Sequence, residues 1–354
     1  MQNSPIKTAV IGYGFSARTF HIPFLQGLAE FEFCAIASSQ HELVQQQLPG
    51  VVCYPDAHSL LAQSDAELVI ITSPNHSHAA LVEQALLHNK HVIVEKPFVT
   101  NSAQGEKLIA LAKAKNLMLS VYHNRRWDGD FLTVKKLLAD NILGELRVFE
   151  SHFDRFRPFV RQRWRETAPD GGGLLFDLGP HLIDQALQLF GKPVAISATC
   201  RQMRDDAVTT DYFQLQLHYP KLQVMLHSDM LSAAPNRRFS LKGTLGSYEK
   251  YGLDPQEQRL IAGMLPLAQG FGLEEPPHFG LLYRPEPHIA ATADCKAELV
   301  PTETGAYQHY FVAIAAAIRQ QQAVPVSAED ALLGIRLIEL AIQSSEQGKR
   351  LLLD

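Results

Sequence analysis

Ile6-Lys7-Thr8-Ala9-Val10-Ile11 runs straight into Gly12-Tyr13-Gly14-Phe15-Ser16-Ala17, and this junction decides the fold. The first six residues read as a short buried strand. The next six spell G-x-G-x-x-A, a form of the dinucleotide-binding turn. Gly12 permits the tight turn. Gly14 lets the backbone approach a pyrophosphate. Ala17 lets the next helix pack close to the sheet, with its first N–H groups facing the phosphates. Gly12, Gly14, Phe15, Ser16 and Ala17 are therefore candidate cofactor contacts. A glycine-rich turn alone is weak, but this one sits at the first strand–helix junction of an α/β half. Pro23 should shorten or kink the helix that follows.

Outward from that turn, apolar β-rich runs recur at Phe31–Ser38, Val51–Tyr54, Leu68–Thr72, His91–Glu95 and Leu117–Tyr122. Amphipathic stretches separate most of them, clearest at His76–Asn89 and Ser102–Asn116, the second capped by Asn101 or Ser102. Alternation of this kind predicts βαβ units and a parallel sheet buried on both faces. Residues 1–122 are thus read as a doubly wound Rossmann domain.

The pattern changes after Tyr122. A helix is expected over Asp128–Asp140, a strand over Glu145–Asp154 and a helix over Gly173–Phe190. Strands then follow in a row: Pro193–Met203, Tyr212–Tyr219, Leu222–Met230 and Arg238–Tyr251. This predicts a C-terminal α+β domain, residues 123–354, built on a largely antiparallel open sheet. Gly252–Pro287 reads as a long surface excursion. Helices near Gly305–Gln321 and Ala328–Gln347 close the chain.

With 354 residues, the chain is long enough for two domains. Lys and Arg number 32 against 37 Asp and Glu, a balance that argues against a nucleic-acid partner. No apolar run reaches a membrane span; the longest, Tyr310–Ile318, is far too short. No signal-peptide pattern precedes Ile6. Cys34, Cys53, Cys200 and Cys295 form no C-x-x-C pair, so a structural zinc site is not expected and a reducing cytoplasm is.

An Asp or Glu that would bind an NAD ribose is expected near the end of the second strand. Ala37-Ser38-Ser39-Gln40-His41 stands there instead. Without a carboxylate to repel a 2′-phosphate, and with Ser38 and Ser39 able to donate to one, NADP is preferred and NAD remains possible. The usual Arg is missing unless Arg18 or His41 serves.

Three more segments place polar residues where ligands of open α/β sheets bind: Thr72-Ser73-Pro74-Asn75-His76-Ser77-His78, Glu95-Lys96-Pro97, and Asp177-Leu178-Gly179-Pro180-His181. Together with the glycine turn they resemble the Gfo/Idh/MocA oxidoreductase family over essentially the whole chain. Ser120–Leu138 and Asp211–Gln223 are similar to the branch containing NADP-dependent scyllo-inositol dehydrogenase. The resemblance implies a catalytic triad of Lys96, Asp177 and His181. It also implies cofactor contacts from Ser73, Pro74, Asn75, His78, Glu95 and Lys96. Tyr122, Asn124, Arg126 and Trp164 become candidate substrate contacts. The family usually pairs through the exposed sheet face, which implies a homodimer or homotetramer. Ala17 for the commoner Gly and Gln40 for the branch's frequent Arg depart from the pattern.

The chemistry is coherent on its own terms. Oxidising a secondary alcohol needs a base, and His181 can take the hydroxyl proton near neutral pH. Asp177, four residues earlier, can orient the imidazole or a substrate hydroxyl. Lys96 can stabilise charge on the reacting oxygen. The expected substrate is a small cyclic polyol or sugar, an inositol first. Two other readings compete: a non-catalytic NAD(P)-binding sensor, and a metal-dependent hydrolase using Asp177, His181 and Asp184. Lys96 disfavours a metal there, and none is expected.

Overall fold

The computed structural model describes residues 4–168, 171–285 and 295–353, which form two compact units. The first comprises residues 1–124, 256–271 and 306–335; the second comprises 125–255, 272–305 and 336–354.

The first unit holds six parallel strands: β1 (Ile6–Ile11), β2 (Phe31–Ala37), β3 (Val52–Tyr54), β4 (Leu68–Ile71), β5 (His91–Val94) and β6 (Leu119–Val121). Their order is β3-β2-β1-β4-β5-β6. The chain starts in the middle, winds outward one way and then returns to wind the other, the doubly wound arrangement. All four residues of β4 are fully buried, as are Val92, Ile93 and Val94. Apolar residues without alternation are what a sheet covered on both faces requires.

The glycine-turn helix widens to a π-helical turn at Ala17–His21, where the Ile22 N–H donates to the Ala17 carbonyl five residues back. Pro23 explains it. Its ring lacks an N–H and crowds the carbonyl four residues earlier, so the turn opens instead of breaking.

The second unit carries nine strands: β7 (Leu146–His152), β8 (Ala195–Arg201), β9 (Tyr212–His218), β10 (Gln223–Asp229), β11 (Arg237–Gly243), β12 (Ser247–Tyr251), β13 (Gly280–Arg284), β14 (Lys296–Val300) and β15 (Leu351–Leu352). Their order is β14-β13-β12-β11-β7-β10-β9-β8-β15, antiparallel throughout except for β7 beside β10. Along β9 and β10, Phe213, Leu215, Leu217, Val224 and Leu226 are buried, while Gln214 and Gln223 are exposed. One face is packed and the other open.

Several expectations need correction. Arg238–Tyr251 is a hairpin rather than one strand, turning at Thr244–Gly246 with the Gly243 N–H donating to the Gly246 carbonyl at 2.9 Å. The Gly252–Pro287 stretch contains a helix (Gln256–Ile261) and β13; its last two residues lie outside the described ones. Gly173–Phe190 is two helices, Gly173–Asp177 and Gly179–Phe190, because Pro180 starts a new first turn.

Residues 306–335, expected in the second domain, pack within the first unit. The reason is aromatic. Phe311 stacks on Phe24 with ring centroids 4.9 Å apart and touches Tyr122 at 5.6 Å, and Tyr310 meets Tyr122 at 5.0 Å. Burying such rings stabilises strongly, and the first unit offers the matching apolar surface.

Candidate active site

In the first unit, Gly12 has φ of 101°, a value that favours glycine, and an added Cβ would lie 2.8 Å from Thr72 Oγ1. Thr72 is fixed in turn: its hydroxyl donates to the Ile11 carbonyl at 3.0 Å. The end of β4 therefore presses against the glycine turn and no side chain fits between. At Gly14 the reverse holds, because a Cβ would meet nothing within 4 Å. The turn is closed on the sheet side and open on the ligand side, as a cradle for a pyrophosphate must be. Ala17 is fully buried, whereas Phe15 is half exposed.

After β2, Ser38 is buried and its Oγ accepts the Gln40 N–H at 3.0 Å, while Ser39 is exposed. Arg18 lies over the Tyr13 ring at 5.7 Å, and the Tyr13 hydroxyl donates to Gln47 at 2.6 Å. Ser38 and Ser39 thus follow β2 directly, where the adenine ribose of a dinucleotide would lie.

Glu95, at the end of β5, ties the glycine-turn helix to the strand that presents Lys96. Its carboxylate accepts the Ser16 hydroxyl, the Lys96 N–H at 3.1 Å and a contact from His21 Nε2 at 2.9 Å. Burial pushes its pKa up, but the His21 and Ser16 hydrogen bonds and the charges of His21 and Lys96 outweigh that and hold it at about 2. His21 is completely buried, with its ring 4.3 Å from that of Tyr122. Sequence reading passed over His21; no spacing links it to Glu95, and only the folded helix brings them together.

His78 is also fully buried. Its Nδ1 lies 2.8 Å from the Pro97 carbonyl and its Nε2 lies 3.0 Å from the Ser73 carbonyl. Burial lowers its pKa against the opposing pull of those carbonyls. Expected as a cofactor contact, His78 instead pins the Ser73 loop to the Lys96–Pro97 loop. The Asn75–Ser77 turn starts from Pro74, and the Ser77 hydroxyl donates to the Pro74 carbonyl at 2.7 Å with its oxygen 2.6 Å from the Ser73 hydroxyl. Tyr122, expected at the substrate, is buried with its hydroxyl donating to the Phe20 carbonyl at 3.0 Å.

In the second unit, Asp177 ends one helix and His181 lies in the first turn of the next. Asp177 is partly exposed, 3.7 Å from Arg155 and 3.8 Å from Arg165. His181 is 5% exposed. Three and four residues further, the same helix face is anchored by buried polar groups. Arg126 grips Asp184 through two hydrogen bonds of 2.8 and 2.6 Å. Gln185 donates to the Arg125 carbonyl and accepts from Arg238 at 2.6 Å. Arg126, expected at the substrate, thus holds the His181 helix through both oxygens of Asp184. Asn124 is buried, and Trp164 is 37% exposed beneath the Arg165 guanidinium.

Comparison with known proteins agrees with this anatomy. The NAD-binding Rossmann-fold domain of the Gfo/Idh/MocA oxidoreductase family matches residues 6–123, and that family's C-terminal α/β domain matches 135–353. The chain is 43% identical to the uncharacterised oxidoreductase YdgJ of Escherichia coli, covering 96% of each chain. It is 38% identical to the scyllo-inositol 2-dehydrogenase (NADP(+)) IolW of Bacillus subtilis, covering 99% of this chain and 96% of that one. The solved structure of the oxidoreductase yvaA of Bacillus subtilis superposes with a TM-score of 0.95 at 37% identity, covering all of both chains. Among the described residues, no helix is long and apolar enough to cross a membrane.

Proposed function

Because the chain belongs to the Gfo/Idh/MocA oxidoreductase family, we propose that it is an NADP-dependent dehydrogenase of cyclic polyols, with an inositol as the first-choice substrate. The observation that carries the reading is Glu95, which couples the glycine turn to Lys96 in one buried hydrogen-bonded unit. The IolW relative is named for NADP(+) and scyllo-inositol, which supports the choice of cofactor and ring.

When bound, the nicotinamide supplies the hydride acceptor or donor. The chain's own residues do the rest. His181 takes the proton of the reacting hydroxyl at a ring nitrogen and returns it in reduction. Asp177 orients that imidazole or a neighbouring hydroxyl. The Lys96 ammonium stabilises negative charge as it grows on the oxygen. Gly12, Gly14, Phe15, Ser16 and Ala17 bind the dinucleotide, with Ser38 and Ser39 at its ribose and Ser73, Pro74 and Asn75 beside the nicotinamide. Trp164 offers an apolar face to the C–H edges of the ring. Self-association through the open face of the nine-stranded sheet, as a homodimer or homotetramer, and a cytoplasmic location complete the proposal.

The test is turnover with NADP+ and NAD+ across inositol stereoisomers, glucose, xylose and straight-chain alcohols, followed by nicotinamide absorbance. Turnover of scyllo-inositol or its ketone with NADP(H) is expected. Preference for a straight-chain alcohol defeats the substrate, and loss of all turnover defeats the enzyme.

A further inference from the structure

On the open face of the nine-stranded sheet, His152 closes β7 and its register partner in the adjacent parallel strand β10 is His227. Asp154 lies two residues beyond His152, on the same face by strand alternation. The ladder persists that far, since the Phe153 N–H donates to the His227 carbonyl at 3.0 Å and the Arg155 N–H to that of Asp229 at 3.1 Å. One ligand-type atom from each of His152, Asp154 and His227 lies within 4.8 Å of the other two. Asp154 approaches both rings, with one carboxylate oxygen 2.8 Å from Nδ1 of His227 and the other 3.3 Å from Nδ1 of His152.

The outer nitrogens decide what this cluster can do. His152 Nε2 faces Glu150 at 3.8 Å and His227 Nε2 faces Asp229 at 3.9 Å. A carboxylate thus stands behind the outer nitrogen of each ring, the side on which metal-bound histidines commonly have one. With each ring in its Nε2–H tautomer, the two Nδ1 lone pairs and the Asp154 carboxylate form a convergent three-donor set for a cation. Two imidazoles and one carboxylate are a donor set that suits Zn2+.

We propose that His152, Asp154 and His227 form a Zn2+ site on the open face of the sheet, joining β7 to β10. The site shares no residue with the proposed hydride-transfer set. Arg155 follows Asp154 directly and points to the other face, where its guanidinium approaches Asp177. The bound ion would anchor the start of the segment that carries Arg155 and Trp164. No sequence spacing announces such a site, because its two histidines come from strands distant in the chain.

The experiment is a Zn2+ titration of EDTA-treated full-length protein, read by competition with a chromophoric chelator. The variants are Asp154→Asn and the double substitution His152→Ala/His227→Ala. One Zn2+ per chain is expected in the wild type. Losing an outer-shell partner costs about 10–100-fold in affinity, so removing two ligands should weaken binding by at least roughly 100-fold. Co2+ should give a visible ligand-field band in the wild type and none in the double variant. Asp154→Asn keeps the side-chain shape, so weakened binding there is independent of any folding defect in the double variant. Equal Zn2+ affinity in wild type and Asp154→Asn, or no bound Zn2+ in the wild type at micromolar metal, overturns the proposal.

Discussion

His21 Nε2 lies 2.9 Å from a carboxylate oxygen of Glu95, with the histidine ring fully buried. A carboxylate buried with an imidazole, a hydroxyl and a backbone N–H is held ionised by its partners, and its loss leaves all three donors unsatisfied. The residue that precedes the proposed catalytic lysine is therefore a structural keystone of the glycine turn.

That relationship has a pH signature. Glu95 is held at about 2, below its usual 4.5, so the unfolded chain takes up its proton first as pH falls. The stabilisation is complete above about 4.5 and is lost as pH falls toward 2. By linkage, the loss should reach about 2 kcal/mol near pH 3. Urea unfolding of wild type and Glu95→Gln should show a gap at neutral pH that narrows by that amount in acid. A gap independent of pH would remove Glu95 from this role.

Gly12 and Gly14 should fail in different ways. Gly12→Ala forces a side chain into a left-handed conformation and against Thr72, so it should cost about 1–3 kcal/mol of stability as well as cofactor binding. Gly14→Ala meets open space, so the melting temperature should hold while NADPH affinity drops. Calorimetry beside a fluorescence titration separates the two. An equal loss of stability in both variants would contradict the open cradle.

His181→Ala should lower kcat by about 10²–10⁴-fold through loss of the general base. NADPH affinity should stay near wild type, because the glycine turn is untouched. Lys96→Met should also cripple turnover by removing the charge at the reacting oxygen. Near-normal kcat in either variant strikes that residue from the mechanism.

The parallel half of the fold was legible because β4 and β5 are apolar without interruption, a pattern that a sheet covered on both faces imposes. The glycine turn was legible because Gly12 answers to a backbone need. What escaped was decided by tertiary partners. The periodicity of Gln308–Ile318 predicts a helix, yet nothing local says that Phe311 will stack on Phe24. Arg126 stood among the substrate contacts on the family resemblance, and nothing local signals its burial; the Asp184 that it grips lies far along the chain. His78 sits inside a recognisable motif, but only the fold shows both ring nitrogens turned to backbone carbonyls.

The last prediction concerns NADP against NAD. Two serines follow β2, and the structure separates their uses. Ser38 is buried and its oxygen is occupied by the Gln40 N–H, so Ser38→Asp would place a charge where water is scarce. Ser39 is exposed, so Ser39→Asp adds a carboxylate without a folding penalty. Against a nearby ribose 2′-phosphate, Coulomb repulsion in a partly solvated site is worth about 1–3 kcal/mol. NADPH affinity should therefore fall by roughly 10–100-fold. NADH has no 2′-phosphate to repel and offers its ribose hydroxyls to the new acceptor, so its affinity should hold or rise. Raising ionic strength should shrink the NADPH penalty, because the repulsion is partly screened. Fluorescence titration of both cofactors at low and high salt reads each arm. An unchanged NADPH affinity in Ser39→Asp would place the 2′-phosphate elsewhere. Tighter NADH than NADPH binding in the wild type would overturn the proposed preference.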